Sequence, residues 1–239
     1  MKKNYTLFLV ITSLVGGCEV KYKSVFDIIG PIMIGPSSSH TAGASRIGRV
    51  ARSLFGREPK WAKISFYGSF AQTYRGHGTD VAIVGGLLDF DTFDKRMIDS
   101  INIARQKGIA LQFIIEDAIP VHPNTARVRI GDENGELELV GISIGGGKIE
   151  VIELDGFSLR LSGNHPAILV FHHDKFGTIA SVSNVLAKYL INIGHMEVSR
   201  KEVGKQALMT IEVDQTIDPS ILKELEKLDN ISKVTKIVE

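Results

Sequence analysis

The most constraining part of this chain is its C-terminal stretch, where hydrophobic residues change period in an order that few folds satisfy. Ala167 to His172 is a short apolar run that reads as a strand. From Thr178 to Leu190 the residues Ile179, Val182, Leu186 and Leu190 recur at helical spacing, which predicts a helix burying that face. Met196 to Glu202 and Ala207 to Asp214 read as two strands around Gly204-Lys205, with Met209, Ile211 and Val213 alternating. Asp218 is an N-cap with Pro219 at the first helical position, and Ile221, Leu222, Leu225 and Leu228 form the stripe behind it. Val234 to Val238 closes as a last strand. The order βαββαβ is the ferredoxin-like plan.

A composition shift at Ser162-Gly163-Asn164-His165-Pro166 marks a linker before that tail. The division predicts an α+β chain with a front domain over 20–161 and a tail domain over 166–239. The front domain is Gly-rich and less regular. A helix is expected from near Ser39 through Arg46, Val50 and Leu54, followed by a strand at Ile64 to Tyr67. A Gly-rich loop then leads to a helix from about Asp80 to Leu88, and Met97 to Gln106 reads as another, ended by Lys107-Gly108. Strands follow from Leu111, with Asn134-Gly135 predicted as a two-residue hairpin turn.

Charge and cysteine content narrow the function classes. The net charge is +1 and the basic residues are scattered, so no nucleic-acid footprint or polyanionic partner is indicated. Cys18 is the single cysteine, which excludes an internal disulfide and a cysteine-ligated zinc or iron–sulfur site. Lys2 and Lys3 precede an apolar run from Thr6 to Val15 and then Gly16-Gly17-Cys18, the pattern of a lipoprotein signal cleaved before Cys18. The favoured alternative is an over-extended start over residues 1–19, with the protein proper beginning at Val20. A cytoplasmic chain without membrane contact is then expected.

Two segments crowd polar groups at predicted helix starts. Gly35-Pro36-Ser37-Ser38-Ser39-His40-Thr41-Ala42-Gly43 sets hydroxyls and an imidazole beside unpaired backbone N–H groups, a setting that attracts a carboxylate or phosphate. A plain cap needs one such residue, not five in a row, so an anion site is the favoured reading. Tyr74-Arg75-Gly76-His77-Gly78-Thr79-Asp80 repeats the arrangement; Thr79 or Asp80 as an ordinary N-cap stands as its equal alternative. His122-Pro123-Asn124-Thr125 reads first as a turn. Gly145-Gly146-Gly147-Lys148 does not complete a phosphate-loop pattern, no dinucleotide fingerprint follows a strand, and His172-His173-Asp174 reads as surface rather than metal site.

Ser24-Val25-Phe26-Asp27-Ile28-Ile29-Gly30-Pro31, leading into Gly35-Pro36-Ser37-Ser38-Ser39-His40-Thr41, resembles the opening of the β subunit of bacterial iron–sulfur L-serine dehydratases. Gly76-His77-Gly78-Thr79-Asp80 and His122-Pro123-Asn124-Thr125 follow in the expected order, and the tail resembles an ACT domain. The front domain is similar to the allosteric substrate-binding domain of some phosphoglycerate dehydrogenases. The resemblance implies β-elimination of L-serine to pyruvate and ammonia, with no pyridoxal phosphate and no nucleotide. It implies a [4Fe–4S] cluster held by a cysteine-bearing α subunit, in a heterodimer or higher oligomer. By position it implies His40 and His77 as catalytic residues, with Ser37, Ser38, Ser39, Thr41, Gly78, Thr79 and Asn124 binding substrate and no metal ligand in this chain. Phe176, in Asp174-Lys175-Phe176-Gly177, departs from the proline often found in ACT ligand loops. The competing reading is a non-catalytic sensor, a small-anion domain joined to an ACT domain.

Overall fold

The computed structural model describes residues 32–163 and 165–237; the leader pattern, the start at Val20 and the Ser24–Pro31 motif lie outside them. The chain enters through a six-residue π-helical turn, Ser38–Gly43, that runs directly into α1 (Ala44–Phe55). Gly56, in the left-handed conformation, ends that helix by donating its N–H to the Arg52 carbonyl. Strand β1 (Trp61–Tyr67) follows, then α2 (Gly68–Thr73) and α3 (Thr79–Leu87). The short α2 occupies what the sequence presents as a Gly-rich loop. The helix expected over Met97–Gln106 is two pieces, a 3-10 turn at Lys95–Asp99 and α4 (Ser100–Gln106). The break has a local cause: Asp94 caps the first piece through the Arg96 N–H, while the buried Ser100 hydroxyl donates to the Val81 carbonyl at 2.6 Å.

Strands β2 (Ala110–Ile115), β3 (Asn124–Asp132), β4 (Gly135–Gly145), β5 (Lys148–Leu154) and β6 (Phe157–Leu161) complete a six-stranded sheet. Its order is β2-β1-β3-β4-β5-β6, parallel between β1 and β2 and antiparallel elsewhere. The hairpin between β3 and β4 forms, but its loop is Glu133-Asn134, because Gly135 already pairs with Asp132. Asp132 tightens it by accepting the Asn134 N–H at 2.8 Å. Asn124, expected in a turn, opens β3, and the triple glycine closes the β4–β5 hairpin.

Two buried helices approach backbone to backbone in this domain. A Cβ at Gly48 of α1 would stand 2.2 Å from the Ile83 carbonyl oxygen, and one at Gly86 of α3 would stand 2.0 Å from that of Ser45. Only glycines permit that distance, and α3, apolar from Ala82 to Leu87, is buried around its circumference. This contact packs the first half of α1 against the second half of α3.

The second domain contains β7 (Ala167–His173), α5 (Thr178–Lys188), β8 (Ile193–Arg200), β9 (Gln206–Val213), α6 (Pro219–Leu225) and β10 (Ile231–Ile237). The antiparallel sheet has order β10-β7-β9-β8, as the βαββαβ plan requires. Asp218 caps α6 as expected, accepting the Ser220 N–H at 2.8 Å. The buried face of α5 differs from expectation: Val182, Val185 and Leu186 point inward, whereas Ile179 is 48% exposed and Leu190 85%. Leu190 lies beyond the helix with φ +56°, so it leaves the periodic face.

β7 is apolar on both faces because both faces are covered. Ile168 and Val170 pack under α5 and α6, while Ala167 and Leu169 join the core of the first domain with Leu208 and Ile237. Residues of β7, β9 and β10 thus complete the core beneath the first sheet. Ser162 itself donates through its N–H and hydroxyl to Glu212, at 3.1 and 3.0 Å. His172 is buried, against the surface reading, with Nδ1 2.9 Å from the His173 carbonyl oxygen; His173 is exposed.

Candidate active site

Ser37 has extended backbone and accepts the His40 N–H at 3.1 Å, which starts the π-helical turn. The turn holds the His40 ring between hydroxyls. Nδ1 lies 3.1 Å from Ser39 Oγ and 3.3 Å from Ser37 Oγ, and Nε2 lies 2.9 Å from Ser69 Oγ on α2. The ring also meets the edge of Phe70, with centroids 5.3 Å apart. Thr41 donates its hydroxyl to the His77 carbonyl at 3.2 Å, tying this turn to the one before α3. The His40 and His77 rings consequently stand perpendicular, 4.7 Å between centroids.

At the second turn, neither Thr79 nor Asp80 is the N-cap. Gly78 occupies that position with φ +65°, a conformation that favours glycine. The Thr79 side chain is thereby left fully buried, its hydroxyl unpaired. Asp80 instead takes its own next N–H, from Val81, at 2.9 Å. Below the first turn, Ser143 of β4 fills the space beside Gly43, where a Cβ would come 2.1 Å from its hydroxyl. Asn124 donates its amide to the Ser143 carbonyl at 3.3 Å, which places it next to this group.

The structure thus gathers Ser37, Ser39, His40, Thr41, His77, Gly78 and Thr79 at one locus, with Asn124 beside it and Ser38 half-buried in the same turn. It adds Ser69 and Ser143, which the sequence did not single out. Ser143 carries a recognisable signal, one hydroxyl in the apolar strand Gly141-Ile142-Ser143-Ile144; Ser69 offers only its position after the strand-ending Gly68. Among the described residues five buried side-chain polar atoms lack a hydrogen-bond partner, and three of them, His77 Nδ1, Thr79 Oγ1 and Ser143 Oγ, are here. Such atoms cost about 1–3 kcal/mol each, so their concentration marks a place kept for something other than stability.

Electrostatics add to this. Burial, and then the neighbouring His77, hold the His40 pKa below its ordinary value, favouring a neutral imidazole. Burial pushes the Asp80 carboxyl up. A neutral imidazole between serine hydroxyls both accepts and donates protons, and the adjacent hydroxyls suit a carboxylate or an amine. Among the described residues no group of three or more His, Cys, Asp or Glu side chains is arranged to hold a metal ion, and no helix is long and apolar enough to cross a membrane.

Comparison with known proteins gives two family matches. Residues 24–153 match the family model for the serine dehydratase beta chain, and residues 167–230 match that of the ACT domain. The probable L-serine dehydratase beta chain of Bacillus subtilis is 74% identical over 92% of this chain and 100% of its own length. The L-serine dehydratase beta chain of Peptoniphilus asaccharolyticus is 36% identical over 83% of this chain and 90% of its own. A D-3-phosphoglycerate dehydrogenase of Synechocystis is 22% identical over 79% of this chain but only 34% of that enzyme. A family match over more than half of the chain, with relatives this similar along nearly their whole length, shows that the chain belongs to the serine dehydratase beta chain family.

Proposed function

We propose that this chain supplies the serine-binding half of an L-serine dehydratase, working against a partner α subunit that carries a [4Fe–4S] cluster. The observation that carries the reading is the 4.7 Å His40–His77 pair beside the unpaired His77 Nδ1 and Thr79 hydroxyl. The cluster belongs on the partner because Cys18 is the only thiol this chain has.

The overall chemistry is loss of the Cα proton and the β-hydroxyl from L-serine, giving aminoacrylate and water. Aminoacrylate then tautomerises and takes up water to release pyruvate and ammonia. Lewis-acid assistance to the departing hydroxyl is what the partner's cluster would contribute. This chain binds and orients. The Ser37–Thr41 hydroxyls and the turn's backbone N–H groups hold the substrate carboxylate, as a helix start does for an anion. Thr79 and Asn124 contribute further hydrogen bonds to serine. His40, neutral through burial, is suited to accept a proton, and His77 offers a ring nitrogen that has no partner among the described residues. That nitrogen and the Thr79 hydroxyl are shielded from solvent in this conformation.

Thr79→Val tests the reading. The replacement keeps the shape and removes a hydroxyl that has no partner among the described residues, so thermal stability should hold. In the assembled enzyme the Michaelis constant for serine should rise roughly 3- to 10-fold with kcat little changed, the scale of one lost hydrogen bond made equally in ground and transition states. An unchanged Michaelis constant, or a loss of stability with no kinetic effect, would make Thr79 a packing residue and remove this turn from the serine site.

A further inference from the structure

Both ring nitrogens of His40 meet hydroxyls, and the arrangement decides which nitrogen carries the proton. A neutral imidazole has one N–H donor and one accepting nitrogen, and the bond made by one fixes the state of the other. On the Nδ1 side stand two oxygens, Ser39 Oγ at 3.1 Å and Ser37 Oγ at 3.3 Å. Ser37 Oγ also accepts the His40 backbone N–H. On the Nε2 side stands Ser69 Oγ, at 2.9 Å. Ser69 owes its place to the backbone around it. Gly68 has φ +52°, and a Cβ there would stand 2.7 Å from the Pro123 carbonyl oxygen. The Ser69 N–H donates to that same carbonyl at 2.7 Å, and the Thr73 hydroxyl donates to the Ser69 carbonyl at 2.7 Å. Phe70, fully buried, anchors the turn in the core while its ring meets that of His40.

Two proton placements satisfy the ring. In the first, Nε2–H donates to Ser69 and a serine of the π-helical turn donates to Nδ1. The hydroxyl hydrogen of Ser69, a partly buried residue, then has no acceptor among the described residues, where its oxygen meets only His40. In the second, Ser69 donates to Nε2, and Nδ1–H is shared between the Ser39 and Ser37 oxygens. That placement uses the Ser69 hydrogen and frees the Ser39 hydrogen for the substrate carboxylate that the turn is proposed to hold. A partly buried donor left unmet costs free energy, so the second placement is favoured. We propose that Ser69 is a positioning residue for His40: it donates to Nε2, keeps the ring proton on Nδ1 and holds the ring across His77. Its bearing on turnover rests on the serine-binding reading, whereas the proton placement is a property of this chain alone.

The test has two parts. The first is nitrogen NMR of the labelled full-length chain at about pH 8, where the imidazole is neutral and its protonated and bare nitrogens resonate far apart. The His40 signals are those that His40→Gln removes. The wild-type ring should carry its proton on Nδ1. Ser69→Ala should shift the ratio toward Nε2–H by roughly fivefold, the scale of one hydrogen bond, and Ser69→Thr, which keeps the hydroxyl, should restore it. The second part is kinetic, in the enzyme assembled with its α subunit. Ser69→Ala should lower kcat by roughly 10-fold or more, the scale seen when the group orienting a metal-binding histidine is removed. The Michaelis constant for serine should change by less than about twofold, because Ser69 acts through His40 rather than on the substrate. In a His40→Gln background Ser69→Ala should have little further effect, since the two residues act as one unit. A wild-type ring protonated on Nε2, or a ratio that Ser69→Ala leaves unmoved, would overturn the proposal. So would a shifted ratio with kcat unchanged, or an equal loss of kcat in the His40→Gln background. Should even the wild-type assembly form no pyruvate from serine, the serine reading falls while the NMR measurement still decides what Ser69 does to His40.

Discussion

His77 in the first domain and His172 in the second each bury one ring nitrogen without a hydrogen-bond partner, yet their surroundings differ in kind. His172 sits within β7, its other nitrogen 2.9 Å from the His173 carbonyl, and its cross-strand neighbours are Ala207 and Ile231. His77 faces a second imidazole at 4.7 Å, its own carbonyl accepts the Thr41 hydroxyl, and Thr79 two residues on leaves another polar atom unpaired. The energetic penalty for one unmet nitrogen is similar in both places. What separates them is the company: only at His77 do a second imidazole and other unpaired hydroxyls stand close by. An isolated unpaired nitrogen is a packing compromise, whereas a cluster of them beside paired imidazoles is what supports the proposed site.

That contrast is open to direct attack. His77→Ala should lower turnover of the assembled enzyme by at least ~100-fold, the usual scale for losing a general acid or base. His172→Leu, assayed beside it, should leave turnover within about twofold and destabilise by no more than about 1 kcal/mol, since the lost hydrogen bond is offset by removing an unmet nitrogen. Steady-state kinetics with chemical denaturation of both variants checks the pair. Comparable losses of turnover from the two would erase the distinction.

A smaller effect sharpens it through pH. Burial and His77 hold the His40 pKa below the ordinary 6.5, so the fold prefers the neutral ring and the unfolded chain binds the proton more readily. The corresponding stability is present above the unfolded value and is lost as pH falls from there through the folded value. His40→Gln should therefore flatten the fall in urea midpoint between about pH 7.5 and about pH 5, with the wild type showing the steeper decline. Parallel slopes would show that His40 titrates as it does in the unfolded chain.

The two domains were also unequally legible. The tail could be read because its helices and strands are amphipathic at their own periods, and its element order followed directly. The failures there are local: Ile179 and Leu190 fit a helical stripe, but α5 ends at Lys188 and rotates Val185 inward instead. In the front domain the two polar helix starts stood out because five hydroxyl and imidazole side chains in a row exceed what a cap needs. Ser69 and Ser143 did not, since the fold alone brings them from α2 and β4 to the His40 ring and to Gly43. The approach of Gly48 and Gly86 that sets α1 against α3 is likewise a pairwise fact, invisible to any local pattern. Nor did the linker composition reveal that Leu169 and Leu208 complete the first domain's core.

The central claim is that this chain contacts serine while its partner holds the cluster. It is tested most directly by expressing the full chain anaerobically, alone and together with a cysteine-bearing α subunit, and measuring pyruvate formation from L-serine and visible iron–sulfur absorbance. Alone, the chain should show neither; together, both should appear, and the activity should fall with His77→Ala while the absorbance persists. Serine turnover or a stable cluster in the isolated chain would contradict the account.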